Sequence, residues 1–509
     1  VTAASISPPI IVDATTRRGR ALVPVLISVG LLVAVVSSLG APLIPTIGTD
    51  YHVSLGLAQW SLTITLLVGA VASPIVGRLG DGPHRRLVLL SALAILVLGS
   101  VLAALPTTTF ALLIIGRGMQ GVGLALLPLA MSVARDHLET VRARSTLATL
   151  SVTAVVGVGL GYPITGLIAE HLGFRDGFWL AAALGILAMI AVALVVPKSV
   201  HRPVQHFDLA GAVLLGFALA GLLLAISEAQ EWGWGSGLLW GVLVVAVALL
   251  AVWGWHELRT PSPLIDLRLL RHRTVLTANA TGLIAGIGMY MLMSMIIRYV
   301  QTPTAVTYGI GASVVVAGLV LLPMSAFSFS SSKLVTYLSK WIRPERVLPL
   351  GVLALGASLL MFATARGSLW EIFVIMGIGG IGVGCSFAVM PRMIVSAIPA
   401  EETSSALASN QVLRTIGYSI GSALAATILT AHTAAASEFP SDKGYTVGAF
   451  VAIALCLIAA VLSWVLPSPR GVAAPFTADQ ELEIEEDVDA AISGTLTLEQ
   501  GVDALERTS

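Results

Sequence analysis

Fourteen apolar runs follow one another along the chain, at 21–47, 57–79, 87–106, 109–134, 145–170, 177–196, 209–227, 236–256, 275–299, 309–330, 346–364, 370–391, 404–430 and 447–466. A hydrocarbon core about 30 Å thick needs about 20 apolar residues in one helix, and each run is close to that length. Only short polar connections remain between them. The pattern predicts an all-α integral membrane protein with 14 transmembrane helices and little room for a soluble catalytic domain.

Composition agrees: 56% of residues are hydrophobic and 11% charged, where a soluble domain carries about 25% charged residues. An ordinary soluble enzyme is excluded on that ground. The formal charge of zero, from 28 basic and 28 acidic residues, conceals a division. Residues 471–509 hold ten acids and one base, a net −9, so the rest of the chain carries +9. Lys and Arg are retained on the cytoplasmic side of a membrane. With the N-terminus inside, 21 of the loop cations fall on the inner side and four (Arg175, Arg298, Arg366, Lys443) on the outer side. One span more or fewer would scramble that alternation, so both termini are expected in the cytoplasm of a multi-pass cell-membrane protein. The acidic tail reads as a solvated cytoplasmic segment, or as a regulatory contact for the basic loops.

Other chemistry is scarce. Cys385 and Cys456 each lie in an apolar stretch, the histidines are scattered, and no G-x-x-x-x-G-K-[ST] phosphate loop occurs, so neither a metal site nor a cofactor is expected. Arg17, Arg18 and Arg20 precede a run too long for a cleaved signal peptide.

The second and third runs are joined by Gly77-Arg78-Leu79-Gly80-Asp81-Gly82-Pro83-His84-Arg85-Arg86. This resembles the loop signature G-x-L-a-D-r-x-G-r-k of the major facilitator superfamily, with Gly82 and His84 as departures. In that family the loop latches the two halves together on the cytoplasmic side, which the resemblance assigns here to Gly77, Asp81, Arg85 and Arg86. The fourth run carries Arg117-Gly118-Met119-Gln120-Gly121, similar to the family's R-x-x-q-G-x-g. Arg117, Gln120 and Gly121 share one helical face, and the resemblance gives this Arg, with Asp81, a part in proton coupling. The fifth run holds Gly157-Val158-Gly159-Leu160-Gly161-Tyr162-Pro163-Ile164-Thr165-Gly166, similar to the g-x-g-x-G-P-x-x-G-G signature of exporters. Gly157, Gly161, Pro163 and Gly166 would set helix packing there, and Tyr162, standing where Gly is usual, would project into the cavity.

Phe207-Asp208-Leu209-Ala210-Gly211, Glu231-Trp232-Gly233-Trp234 and Pro263-Leu264-Ile265-Asp266-Leu267-Arg268 resemble the branch of that superfamily with fourteen spans, the drug:proton antiporters. That branch commonly has L-D-x-T-x-x-N-x-A-L-P in its first helix. Aligned on Pro45, this chain has Val36 at the Asp, Ser38 at the Thr and Ala41 at the Asn. The membrane carboxylate is missing, which disfavours charged substrates that would exploit it.

In the second half, Asn410, Gln411, Arg414 and Tyr418 make a polar stripe in an apolar span, and Asn279, Gly286, Tyr290 and Met293 line another helical face. Polar groups in a bilayer face the bundle interior. The expected cavity therefore combines Ser38, Arg117, Gln120, Tyr162, Asn279, Tyr290, Met293, Asn410, Gln411, Arg414 and Tyr418; the alternative is interhelical hydrogen bonding without substrate contact. The sequon Asn279-Ala280-Thr281 lies inside a span and is not a glycosylation site.

The expected architecture is an N-terminal segment (1–20), a six-helix bundle (21–197), a two-helix insertion with its loops (198–273), a second six-helix bundle (274–469) and the tail (470–509). The resemblance implies a secondary transporter that exports hydrophobic or amphipathic small molecules by alternating access and proton antiport. Movement of a lipid or cell-envelope precursor is the alternative, with a nutrient importer, membrane enzyme or sensor further off. The implied partners are a small substrate, protons and the lipid bilayer, with no nucleic acid, and the chain is expected to act as a monomer.

Overall fold

The computed structural model describes residues 17–39, 43–53, 55–106, 109–171, 173–197, 207–306, 308–339, 341–398, 403–434 and 439–466. The expectations for the N-terminal segment up to residue 16 and for the acidic tail lie outside these residues. Every regular element among the described residues is helical. In hydrocarbon each backbone N–H and C=O must be satisfied within its own segment, which a helix achieves.

The first bundle comprises α1 (Arg17–Ser38), the short α2 (Ile44–Asp50), α3 (Leu55–Gly80), α4 (Arg85–Ala104), α5 (Phe110–Gly121), α6 (Leu126–His137), α7 (Thr140–His171) and α8 (Phe174–Val195). The insertion is a hairpin of α9 (Leu209–Trp232) and α10 (Gly237–Arg259). The second bundle comprises α11 (Arg273–Gln301), α12 (Val314–Leu319), α13 (Leu322–Leu338), α14 (Pro344–Thr364), α15 (Leu369–Ala397), α16 (Thr403–Ala431) and α17 (Asp442–Val465). Two columns are interrupted: α5 and α6 join through a 3₁₀ turn at Val122–Ala125, and α12 passes into α13 ahead of Pro323. Among the described residues, 13 columns are long and apolar enough to cross a membrane. The 32-residue α7 fills the place of the expected fifth run, so the fourteen columns are accounted for.

One boundary differs from expectation. The tenth crossing is Val315–Leu338, displaced toward the C-terminus from the run at 309–330. Serines and threonines in α13 depress its apparent hydropathy, but their hydroxyls turn back onto the preceding turn: Ser330 donates to Ala326 O at 2.9 Å, Ser331 to Phe327 O at 2.7 Å and Thr336 to Ser332 O at 3.1 Å. The polarity is thus hidden within the helix. Upstream, Gly311 takes a left-handed φ of 67° and its N–H donates to Thr302 O at 2.8 Å, folding 302–311 back on itself before α12 begins.

The bundles meet along two seams. On one, α3 and α6 pack against α16; on the other, α7 packs against α12, α13 and α15. The insertion lies across the first seam. Ala212, Leu215 and Leu219 of α9 and Trp253 of α10 form a cluster with Val71 and Ile75 of α3 and Val412 and Ile416 of α16. Its base explains the Phe207–Gly211 motif. Asp208 caps α9 by accepting the Gly211 N–H at 2.9 Å and pairs with His256 Nε2 at 2.9 Å. A Cβ on Gly211 would stand 2.3 Å from Asp208 Oδ2 and 2.9 Å from Glu257 Oε1, so a side chain there would push the capping carboxylate aside.

Candidate functional site

The loop after α3 meets the start of α16. Asp81, 1% exposed, accepts the Ser404 N–H at Oδ1 (2.8 Å) and the Ser405 N–H at Oδ2 (2.9 Å). The first N–H groups of a helix have no partner within it and carry the positive end of its dipole, so one carboxylate here satisfies two otherwise orphaned donors of the opposite bundle. Arg85 Nη2 lies 3.9 Å from Asp81 Oδ1, while Arg85 Nε donates to Gly80 O at 2.6 Å and Nη1 pairs with Asp136. Burial pushes the Asp81 carboxyl above the usual carboxylate range, against the opposing pull of Ser405, Arg85 and Ser404. Gly77 allows the approach: a Cβ there would lie 2.8 Å from Ala408 Cβ and 3.1 Å from Ser404 O. Arg86 turns the other way and donates to Ala193 O at the end of α8.

Arg135 completes this contact. It donates to Val395 O at 3.1 Å and Ile398 O at 3.0 Å, the last carbonyls of α15, and to the Thr403 hydroxyl. In the sequence it is one loop cation among many; its place just before Asp136 at the end of an apolar run is the only signal it gives.

Arg117 is 0% exposed and Gln120 is 1% exposed, both enclosed by groups of the first bundle. Arg117 Nε donates to Ser61 O at 2.8 Å and Nη1 to Gln120 Oε1 at 2.6 Å, with Val36 O at 3.4 Å; Gln120 Nε2 donates to the Ser100 hydroxyl at 2.8 Å. The guanidinium also sits 5.7 Å from the Phe178 ring centre. The shared helical face of Arg117 and Gln120 therefore serves a network inside the first bundle. Among the described residues Arg117 bonds to no carboxylate.

Ser38 is likewise enclosed at 0% exposure. Its hydroxyl donates to Val35 O at 2.7 Å, and a Cβ on Gly161 would stand 2.0 Å from Ser38 Oγ, as one on Gly157 would stand 1.8 Å from Ala34 Cβ. At the two glycines α7 approaches α1 closely, and Ser38 is enclosed by that contact. Tyr162, Pro163 and Gly166 belong to α7, but beyond that their placement lies outside the described residues. Met293 is 4% exposed, a core residue of α11.

The second bundle gathers the remaining residues. Asn410 Nδ2 donates to Asn279 Oδ1 at 2.9 Å, joining α16 to α11. Arg414 donates from Nε and Nη2 to the Tyr418 hydroxyl, at 3.2 and 3.0 Å. Its guanidinium carbon lies 3.6 Å from the centre of the Phe387 ring, and Tyr418 stacks on Tyr290 with centroids 4.7 Å apart. A Cβ at Gly282 would meet Asn410, Arg414 and Met390 within 3.2–3.4 Å, so the three converge there. Asn279, Asn410 and Arg414 are nearly enclosed, whereas Tyr290, Gln411 and Tyr418 keep part of their surface. Phe387 was not legible in the sequence, where it is one apolar residue among many.

Comparison with known proteins agrees with this architecture. The chain is 28% identical over 407 residues to the multidrug resistance protein Stp of Mycobacterium tuberculosis, covering 78% of this chain and 73% of that one. It is 27% identical over 428 residues to the tetracenomycin C resistance and export protein of Streptomyces glaucescens, covering 81% and 76%, and 25% identical over 433 residues to the multidrug transporter MdtP of Bacillus subtilis, covering 82% and 77%. The fold matches the crystal structure of the human organic anion transporter MFSD10 with a TM-score of 0.60 over 88% of this chain and 100% of that one, at 14% identity. The family model of the Major Facilitator Superfamily matches residues 26–422 and 342–497, and the chain belongs to that family.

Proposed function

We propose that this protein exports hydrophobic or amphipathic small molecules from the cell, by alternating access coupled to proton influx. The observation that carries the reading is the Asp81 contact, in which one carboxylate closes the basic ends of the two bundles on the two backbone donors of Ser404 and Ser405. A closure made of hydrogen bonds at a helix end can open by handing the same groups to water, as rocking halves require. The relatives named for multidrug resistance and export support the direction and the substrate range. The basic ends face the cytoplasm in this reading, with both termini there, and the bundles divide near 197 and 274. Asp81 is the protonatable member of the latch, with Arg85 and Arg86 anchoring its loop; Arg117 stiffens the first bundle behind it.

The test uses a strain stripped of its own pumps. Expression should raise resistance to several unrelated lipophilic drugs, and Arg117→Ala should lose that resistance at unchanged protein level. In proteoliposomes an imposed pH gradient should drive drug movement, and drug should draw protons. Fluorescent lipid moved under the same gradient, with no drug transported, would replace export of drugs by lipid or envelope-precursor transport, which the apolar Val36 in the first helix would suit.

A further inference from the structure

The crossing helices of the two bundles carry carboxylates only near their ends: Asp136, Glu170, Asp176, Glu345, Glu371 and Asp442 each fall in a first or last turn. Glu371 is engaged there in a capping box with Ser368. Two arginines nevertheless lie inside the columns, and they are treated differently. Arg117 is met by two carbonyls and an amide oxygen through Nε and Nη1, although its Nη2 is buried without a partner among the described residues, so the two differ in the number of oxygens that meet them. Arg414, 2% exposed, has a single oxygen for a partner, the Tyr418 hydroxyl. Among the described residues its Nη1 has no acceptor. The Phe387 face attracts the cation but supplies no lone pair to its N–H groups.

We infer that Arg414 is the recognition point for an anionic oxygen, a carboxylate or acidic phenolate, on a planar aromatic substrate. The inference rests on the export reading and narrows its substrate class. A guanidinium offers paired N–H donors in the geometry a carboxylate accepts, and no carboxylate of the bundle interior competes for it. Planarity follows from the surroundings, since Phe387 lies under the guanidinium at 3.6 Å and the pair of Tyr290 on α11 and Tyr418 on α16, inclined by only 21°, presents partly exposed flat rings joined to it through the Tyr418 hydroxyl. Val36 in place of a first-helix acid removes the group that would have held a cation. The same electrostatics disfavours lipophilic cations.

The test compares three forms of one fluorophore, coumarin-3-carboxylate, its ethyl ester and its cationic 2-aminoethyl amide, on the purified full chain in phosphatidylcholine nanodiscs. The acid should bind at least tenfold more tightly than the other two. Arg414→Gln should bring the three within about twofold, while Arg414→Lys, which keeps the charge but not the fork, should retain a reduced preference; monodisperse elution of both variants guards against misfolding. Equal binding of acid and ester by the wild type, preference for the cation, or an undiminished preference in Arg414→Gln would overturn the inference. A phosphatidylglycerol headgroup presents the same kind of oxygen: if adding that lipid abolishes binding of the acid, Arg414 serves a lipid and the assignment to small aromatic acids falls. Gradient-driven transport of ester or cation without preference for the acid leaves export standing and removes the inference. Absence of transport for every drug removes export, while the binding comparison still decides the role of Arg414.

Discussion

The two seams between the bundles are closed by different chemistry. Where α3 meets α16, a carboxylate from one half accepts backbone N–H groups from the other, and the acceptor, Asp81, is titratable. Where α7 meets α13 and α15, side-chain donors reach carbonyls: Ser151 donates to Phe387 O, and Arg392 Nε to Arg144 O at 3.1 Å, with Thr336 Oγ1 at 3.5 Å from its Nη2. A guanidinium and a hydroxyl keep their protonation across the physiological range. The difference teaches that, among the described residues, a titratable group bridges the bundles at the first seam, while these hydrogen bonds at the second are made by groups of fixed protonation.

The comparison breaks first at Asp81. Asp81→Ala orphans two backbone donors, each costing about 1–3 kcal/mol when left buried, so the basic ends should open by tenfold or more, read as a longer spin-label distance between the ends of α4 and α16. An unchanged distance would dissolve the distinction between the seams. Gly77→Val should act next. Its Cβ position is already 2.8 Å from Ala408 Cβ, and overpacking of this kind costs about 1–3 kcal/mol; resistance should fall with protein level unchanged.

The third effect is pH dependence, whose sign follows from burial. In the closed state Asp81 holds its proton to higher pH than a carboxyl in water, which titrates near about 3.9. Closing therefore takes up protons: it is favoured as pH falls into the window above that ordinary value and loses the advantage as pH rises through the elevated one. The spin-label distance should shorten on acidification in the wild type, and Asp81→Asn should flatten the response. The smallest effect belongs to the second seam. Arg392→Ala, removing its bond to Arg144 O and the longer one to Thr336, should shift closure by about 1 kcal/mol, roughly fivefold, with the pH response intact; a change in that response would show the seams to be coupled.

Much of this could be read from the chain alone. The apolar runs gave the columns, and the motif residues Gly77, Asp81, Gly157 and Gly161 lie at close contacts between helices. Asp81's partners could not be read, because backbone N–H groups more than 300 residues away leave no trace in side-chain identity. Arg135 and Arg392 looked like loop charges because a topology count records their side of the membrane and not their reach. Ser38, Arg117 and Gln120 were placed on a cavity wall by the rule that polar residues in a span face inward. Inward proved to mean the interior of one bundle, where carbonyls and glycine-lined contacts enclose them. The tenth crossing shifted because hydropathy counts a serine as polar even when its hydroxyl is bonded within its own helix.

The insertion hairpin bears on the surroundings as well as on the packing. Since α9 lies over both α3 and α16, the titratable seam has protein on its flank, whereas α7 and α13 present exposed Ile164, Leu167 and Phe327, the apolar surface expected against acyl chains. The two boundaries of one molecule thus meet two solvents. Motion of the halves would act on lipid directly along one of them and through the hairpin, whose outer face carries exposed Val213, Phe217 and Val244, along the other.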